Sequence, residues 1–98
     1  MKYEAILDQL RKREKDIRAM GLEHLSLFGS TARGDGNSAS DVDLAATFDD
    51  AARIDLFRFA EIAEQLSEML GATVDLVAEP ARTARMQAEI DRDRVRVF

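Results

Sequence analysis

At 98 residues, with 46% hydrophobic and only five Gly and one Pro, the sequence has the size and composition of one ordinary globular domain, spanning 1–98. The absence of cysteine excludes a disulfide scaffold and any thiolate metal centre. The net charge of −5 is uneven: residues 35–79 carry a balance of −9, while 1–34 and 80–98 each carry +2. An acidic middle of this kind suits cations and argues against direct nucleic-acid binding, which needs clustered Lys and Arg. Met1–Met20 is charged, and no apolar run is long enough for a signal peptide or a bilayer span. The expectation is a cytoplasmic protein with no membrane contact.

In chain order, residues 2–20 predict a helix, with Tyr3, Ile6, Leu7 and Leu10 on one face and Gly21 as its stop. Leu22–Phe28 reads as a mostly buried strand and Gly29–Ser40 as a loop. Asp41–Phe48 reads as a second strand, followed by Asp49 and Asp50 at a helix cap and first turn. Residues 53–70 predict a helix with Leu56, Phe59, Ala63, Leu66 and Leu70 as its core stripe, leaving Ile54 and Phe57 outside it. Gly71 ends that helix, Ala72–Ala78 is a third strand, Pro80 opens a last helix and Val95–Phe98 forms a short edge strand. The order defines a single α/β (α+β) domain.

The chemistry concentrates at two places. Asp41 and Asp43 stand at i and i+2 of a strand, on one face and about 6.6–6.8 Å apart along the chain. Carboxylates so placed converge on two hard cations, Mg²⁺ or Mn²⁺, held about 3.5–4 Å apart with phosphate oxygens completing the coordination. The strand–helix–strand unit from Asp41 to Ala78 predicts parallel strands, which brings Asp75 alongside them. An Asp inside the apolar run Thr73–Val77 is costly unless a cation or a donor pairs with it. If the first two strands pair antiparallel, the Gly29–Ser30 turn overhangs these carboxylates. One helical turn over Ser30–Arg33 would then offer backbone N–H groups, and Ser30 a hydroxyl, to a phosphate. Arg33 either contacts phosphate as well or pairs with Asp35 or another acidic neighbour.

Gly29-Ser30, ten intervening residues and Asp41-Val42-Asp43 resemble the signature of the DNA polymerase beta-type nucleotidyltransferase superfamily. The fuller string GSTARGDGNSASDVDL, followed by VDLV at Val74–Val77, is similar to the minimal nucleotidyltransferases of bacteria and archaea over essentially the whole chain. The resemblance implies a small mixed β-sheet of three to four strands flanked by helices. It implies that Gly29 and Ser30 bind the triphosphate, that Asp41 and Asp43 bind two metal ions, and that Asp75 helps hold one metal and activates the acceptor hydroxyl. Larger relatives append a helical domain that shapes the acceptor site; minimal ones are commonly encoded beside a helical HEPN protein, and some act as antitoxins that attach AMP to a tyrosine of it. The expected activity is therefore transfer of AMP from ATP to a HEPN-type toxin, in a hetero-oligomer.

Other readings compete. Gly29–Asp43 as a plain turn and strand requires three separate elements to coincide by chance. A calcium loop fails because Ala45 stands where Asp or Asn is needed. Asp75 as a structural partner of an Arg, and Ser40 as a turn hydroxyl, are the bland alternatives at those positions. His24, the only histidine, reads as a packed or half-exposed strand residue rather than a base. At the level of function, a non-catalytic antitoxin that masks its partner and an enzyme for a small-molecule acceptor are the rivals.

Overall fold

The computed structural model describes residues 3–34 and 41–98. Of the predicted loop Gly29–Ser40, residues 35–40, including Asp35 as a partner for Arg33 and the Ser40 hydroxyl, lie outside the described residues, and Gly29–Arg33 forms a short helix. The elements are α1 (Tyr3–Lys12), α2 (Glu14–Ala19), β1 (Leu22–Leu27), α3 (Gly29–Arg33), β2 (Val42–Phe48), a 3-10 turn (Asp50–Ala52), α4 (Leu56–Leu70), β3 (Val74–Ala78), α5 (Ala84–Asp93) and β4 (Val95–Arg96). Four strands form one mixed sheet in the order β3-β2-β1-β4. β2 pairs antiparallel with β1 and parallel with β3, and β4 pairs antiparallel with β1 at the far edge. The fold is the mixed α/β arrangement that the motif implied.

Alternation along the strands divides the side chains between two layers. Leu25, Leu27, Val42, Leu44, Ala46 and Leu76 join Ile6, Leu10, Ile17, Ile62, Leu66 and Leu70 in the main core. On the opposite face Phe28, Ala45 and Ile90 of α5 form a smaller cluster with Val77, Ala81 and Met86. The carboxylates Asp43 and Asp75 belong to this thinner side.

The structure corrects several boundaries. The predicted first helix is two helices, broken at Arg13 with φ −107° and ψ 15°. Residues 11–16 are all charged, so nothing in that turn anchors to the core, and the break lets α2 seat Ile17. Asp49 does cap a turn, accepting from the Ala51 N–H at 2.9 Å, but only the short 3-10 turn; α4 begins at its own cap, Asp55, which accepts from Arg58 N at 2.7 Å. Leu56 is not part of the core stripe: it is 79% exposed, beside Phe57 at 87%. Ile54 packs against the core, and Ile62, outside the predicted stripe, is buried on α4 together with Leu66 and Leu70. Pro80 does not open the last helix. The Glu79–Pro80 peptide is cis, Glu79 N still donates to Ala46 O at 2.8 Å, and Thr83 caps α5 through Met86 N at 3.1 Å.

At the far end of α4, Ser67 Oγ donates to Ala63 O and accepts from Val74 N, both at 3.0 Å. Gly71, at φ 63°, closes the helix. Together they fix where β3 starts relative to β2.

Candidate active site

The site lies where β1 ends, β2 begins and β3 begins. Phe28 N donates to Asp43 O at 3.1 Å, which carries the chain from β1 directly into α3 above β2. Gly29 has φ +61°, and a Cβ built there would lie 2.7 Å from Asp43 Oδ2. Only glycine lets the backbone turn left-handed this close to the carboxylate. Ser30 follows, half-buried, in the first turn of α3, whose leading N–H groups have no carbonyl four residues back within the helix. Thr31 is 8% exposed, and its Oγ1 accepts from Asp43 N at 3.0 Å and donates to Asp41 O at 3.4 Å. One hydroxyl thus binds the turn to both ends of the Asp-x-Asp segment.

Asp43 and Asp75 are register partners on the parallel strands β2 and β3, so their side chains stand on the same face. Asp75, expected to be buried or half-buried inside the apolar run of its strand, is instead exposed because β3 is the sheet edge, whereas Asp43 is half-buried. Asp41 is exposed just ahead of β2. Burial pushes the Asp43 carboxyl up to about 6, and the negative charges of Asp75, Glu89 and Asp41 push in the same direction against Arg33. Glu89, half-buried on α5, is an acidic neighbour that the sequence did not single out.

Arg33 is 43% exposed and pairs with Asp93 of α5, its Nη1 lying 2.7 Å from Asp93 Oδ2. Of its open alternatives, the acidic neighbour is found, though it is sixty residues away in sequence. Thr31 carried a weak signal, a hydroxyl two residues after a turn glycine; Glu89 and Asp93 carried none, because only the packing of α5 brings them here. His24 lies on β1, half-exposed, with Nε2 3.6 Å from Glu23.

Among the described residues no three His, Cys, Asp or Glu side chains converge tightly enough to enclose a cation by themselves. The carboxylates form an open corner rather than a cage. Their chemistry fits a hard divalent ion: oxygen donors only, with neighbouring negative charges that, together with burial, raise the Asp43 pKa.

The chain belongs to the nucleotidyltransferase domain family, whose model matches residues 3–97. It is a nucleotidyltransferase of the minimal type. Among curated proteins it is similar to the protein adenylyltransferase MntA of Thermococcus cleftensis, at 32% identity over 96% of this chain and 94% of that one. Among solved structures it resembles one provisionally named a minimal nucleotidyltransferase, with TM-score 0.73 and 28% identity over 97% of this chain and 95% of the other. It shares its fold with a chain of a toxin–antitoxin structure containing AMP-PNP, at TM-score 0.75 and 23% identity over 90% of this chain and 72% of that one.

Proposed function

We propose that the chain transfers AMP from ATP to a tyrosine hydroxyl of a HEPN-type toxin partner, and that it acts as the antitoxin of that pair. The observation that supports this reading is the close approach of the Gly29 backbone to Asp43, where a Cβ built on Gly29 would lie 2.7 Å from Oδ2. Gly29 and Ser30 hold the triphosphate through backbone amides and the Ser30 hydroxyl, and Arg33 adds positive charge beside them. Asp41, Asp43 and Asp75 would hold two Mg²⁺ or Mn²⁺ ions. When bound, the ions lower the pKa of the acceptor hydroxyl and offset charge on the phosphates. Asp75, exposed at the sheet edge, accepts the proton of the attacking hydroxyl. The new bond forms between that oxygen and the α-phosphorus, the bond from the α-phosphorus to its bridging oxygen breaks, and pyrophosphate leaves. The protein's share is orientation and charge placement rather than covalent chemistry.

A protein acceptor is supported by the name of the Thermococcus relative. The HEPN partner and the tyrosine follow from the motif resemblance. No helix among the described residues is long and apolar enough to cross a membrane. The test is intact-mass spectrometry of the partner after incubation with ATP and Mg²⁺. Wild type adds one AMP unit or more, and Asp75→Asn adds none while still binding ATP and partner. The exposed pair Leu56 and Phe57 supports a second reading, neutralisation by contact alone. A partner left unmodified by wild type, yet bound and inhibited, would establish that reading instead.

A further inference from the structure

The geometry points to Asp93 as a positioning residue for nucleotide binding, acting through Arg33 to hold the turn that carries Gly29 and Ser30 in place over Asp43. Asp93 is the last residue of α5, where the helix dipole disfavours a carboxylate, and its side chain is only 7% exposed. Two guanidinium groups offset that cost. Arg92 approaches both carboxylate oxygens at 3.1 Å, and Arg33 of α3 reaches Oδ2 at 2.7 Å. The Arg92 hydrogen bonds and the charges of Arg92 and Arg33 hold the Asp93 carboxyl below the usual carboxylate range. Arg92 is two-thirds exposed and belongs to the same helix, so it organises nothing else. Arg33 is the C-terminal residue of a five-residue helix that packs against α5 and begins at Gly29. The next residue, Arg94, runs the opposite way, into Glu79 and Ser26 of the sheet. The end of α5 therefore ties α3 to the same frame that carries β1 and the end of β3.

This inference rests on the nucleotide-binding role of the turn. Steady-state transfer and ATP binding by calorimetry, with Mg²⁺ present, test it on Asp93→Asn and Asp93→Glu. Asp93→Asn is expected to raise KM and Kd for ATP about tenfold, with kcat within threefold, and to lower the melting temperature modestly, because a carboxyl held below its usual range contributes stability near neutral pH. Asp93→Glu, which keeps the charge, should recover most of the affinity. In Arg33→Ala the further change Asp93→Asn should add nothing. Normal ATP affinity in Asp93→Asn, or a loss that adds to that of Arg33→Ala, overturns the positioning role while leaving the site assignment standing. If wild type itself binds no ATP, the nucleotide reading falls and this inference with it. Should Asp93→Asn fail to fold, the Arg33→Lys variant decides: it keeps the charge but loses the Nη1 hydrogen bond to Asp93 Oδ2, and unchanged ATP affinity there overturns the role.

Discussion

Asp43 and Glu79 are carboxylates on the thin side of the sheet, and their surroundings treat them in opposite ways. Glu79 receives Arg94 through both oxygens, at 2.9 and 2.6 Å, and Gln87 Nε2 at 2.8 Å. Arg94 in turn reaches the fully buried Ser26 at 3.1 Å and Asp91 at 3.2 Å. The Arg94 hydrogen bonds lower the Glu79 pKa against the effect of burial. Asp43 has Asp75, Glu89 and Asp41 for company, and burial and those charges raise its pKa to about 6. A carboxylate whose charge is satisfied serves the fold. One left among other negative charges, with its pKa raised, marks a candidate functional site.

The largest expected effect comes from neutralising the unsatisfied member. Asp43→Asn should abolish transfer, because it removes a carboxylate proposed to hold the divalent ions, measured with labelled ATP, while the protein without ligand melts at an equal or higher temperature. The sign follows from the pKa: raised in the folded state, Asp43 contributes stability that is complete below the ordinary 3.8 and lost as pH rises through about 6. The melting temperature of wild type should therefore fall relative to Asp43→Asn between pH 4 and 7. A constant difference across that range would show that Asp43 is not under electrostatic load.

Gly29→Val should come next. The left-handed φ and the 2.7 Å approach to Asp43 Oδ2 leave no room for a branched side chain. A loss of about 1–3 kcal/mol in stability is expected by urea unfolding, together with loss of ATP binding. Normal ATP affinity in that variant would separate the turn from the nucleotide.

Arg94→Ala attacks the satisfied region. It leaves Glu79 beside the sheet without its guanidinium, and a cost of about 1.5–3 kcal/mol is expected, with kcat nearly unchanged. Because the Glu79 pKa is lowered in the fold, its stabilisation is present above the unfolded value of 4.5 and is lost as pH falls. The deficit of Arg94→Ala should shrink in acid, opposite in direction to the Asp43 effect. The smallest effect belongs to Phe57→Ser, at 87% exposure, which should change the stability of the isolated chain by less than about 0.5 kcal/mol.

The legible part of this molecule was whatever depends on local period. Alternation placed Asp41 and Asp43 at a strand start, the crossover unit brought Asp75 alongside, and glycine before a hydroxyl marked the turn. The helix period of α4 was also visible, but phase does not reveal how far the neighbouring layer reaches, so Leu56 matched the stripe and is nonetheless exposed. Of three aspartates before α4, local pattern could not tell that Asp55 rather than Asp49 caps it. What the sequence concealed is carried by tertiary contact: Arg33 with Asp93, Thr31 with the backbone of Asp41 and Asp43, Arg94 with Glu79. Each joins segments whose proximity no local pattern encodes.

The hydroxyl of Ser67, shared between Ala63 O and Val74 N, also bears on how such a chain can change over time. It sets the phase of β3, and strand phase is binary: shifting the pairing by one residue sends every side chain to the other face. A single residue inserted between Gly71 and Val74, if β3 slid along β2 to absorb it, would leave every motif spelled as before. Asp75 would then point into the main core, and Val74 or Leu76 would stand beside Asp43. Descent with such an insertion would preserve the family signature while silencing the chemistry, so a relative's competence has to be judged on the spacing after α4 as well as on its acidic letters.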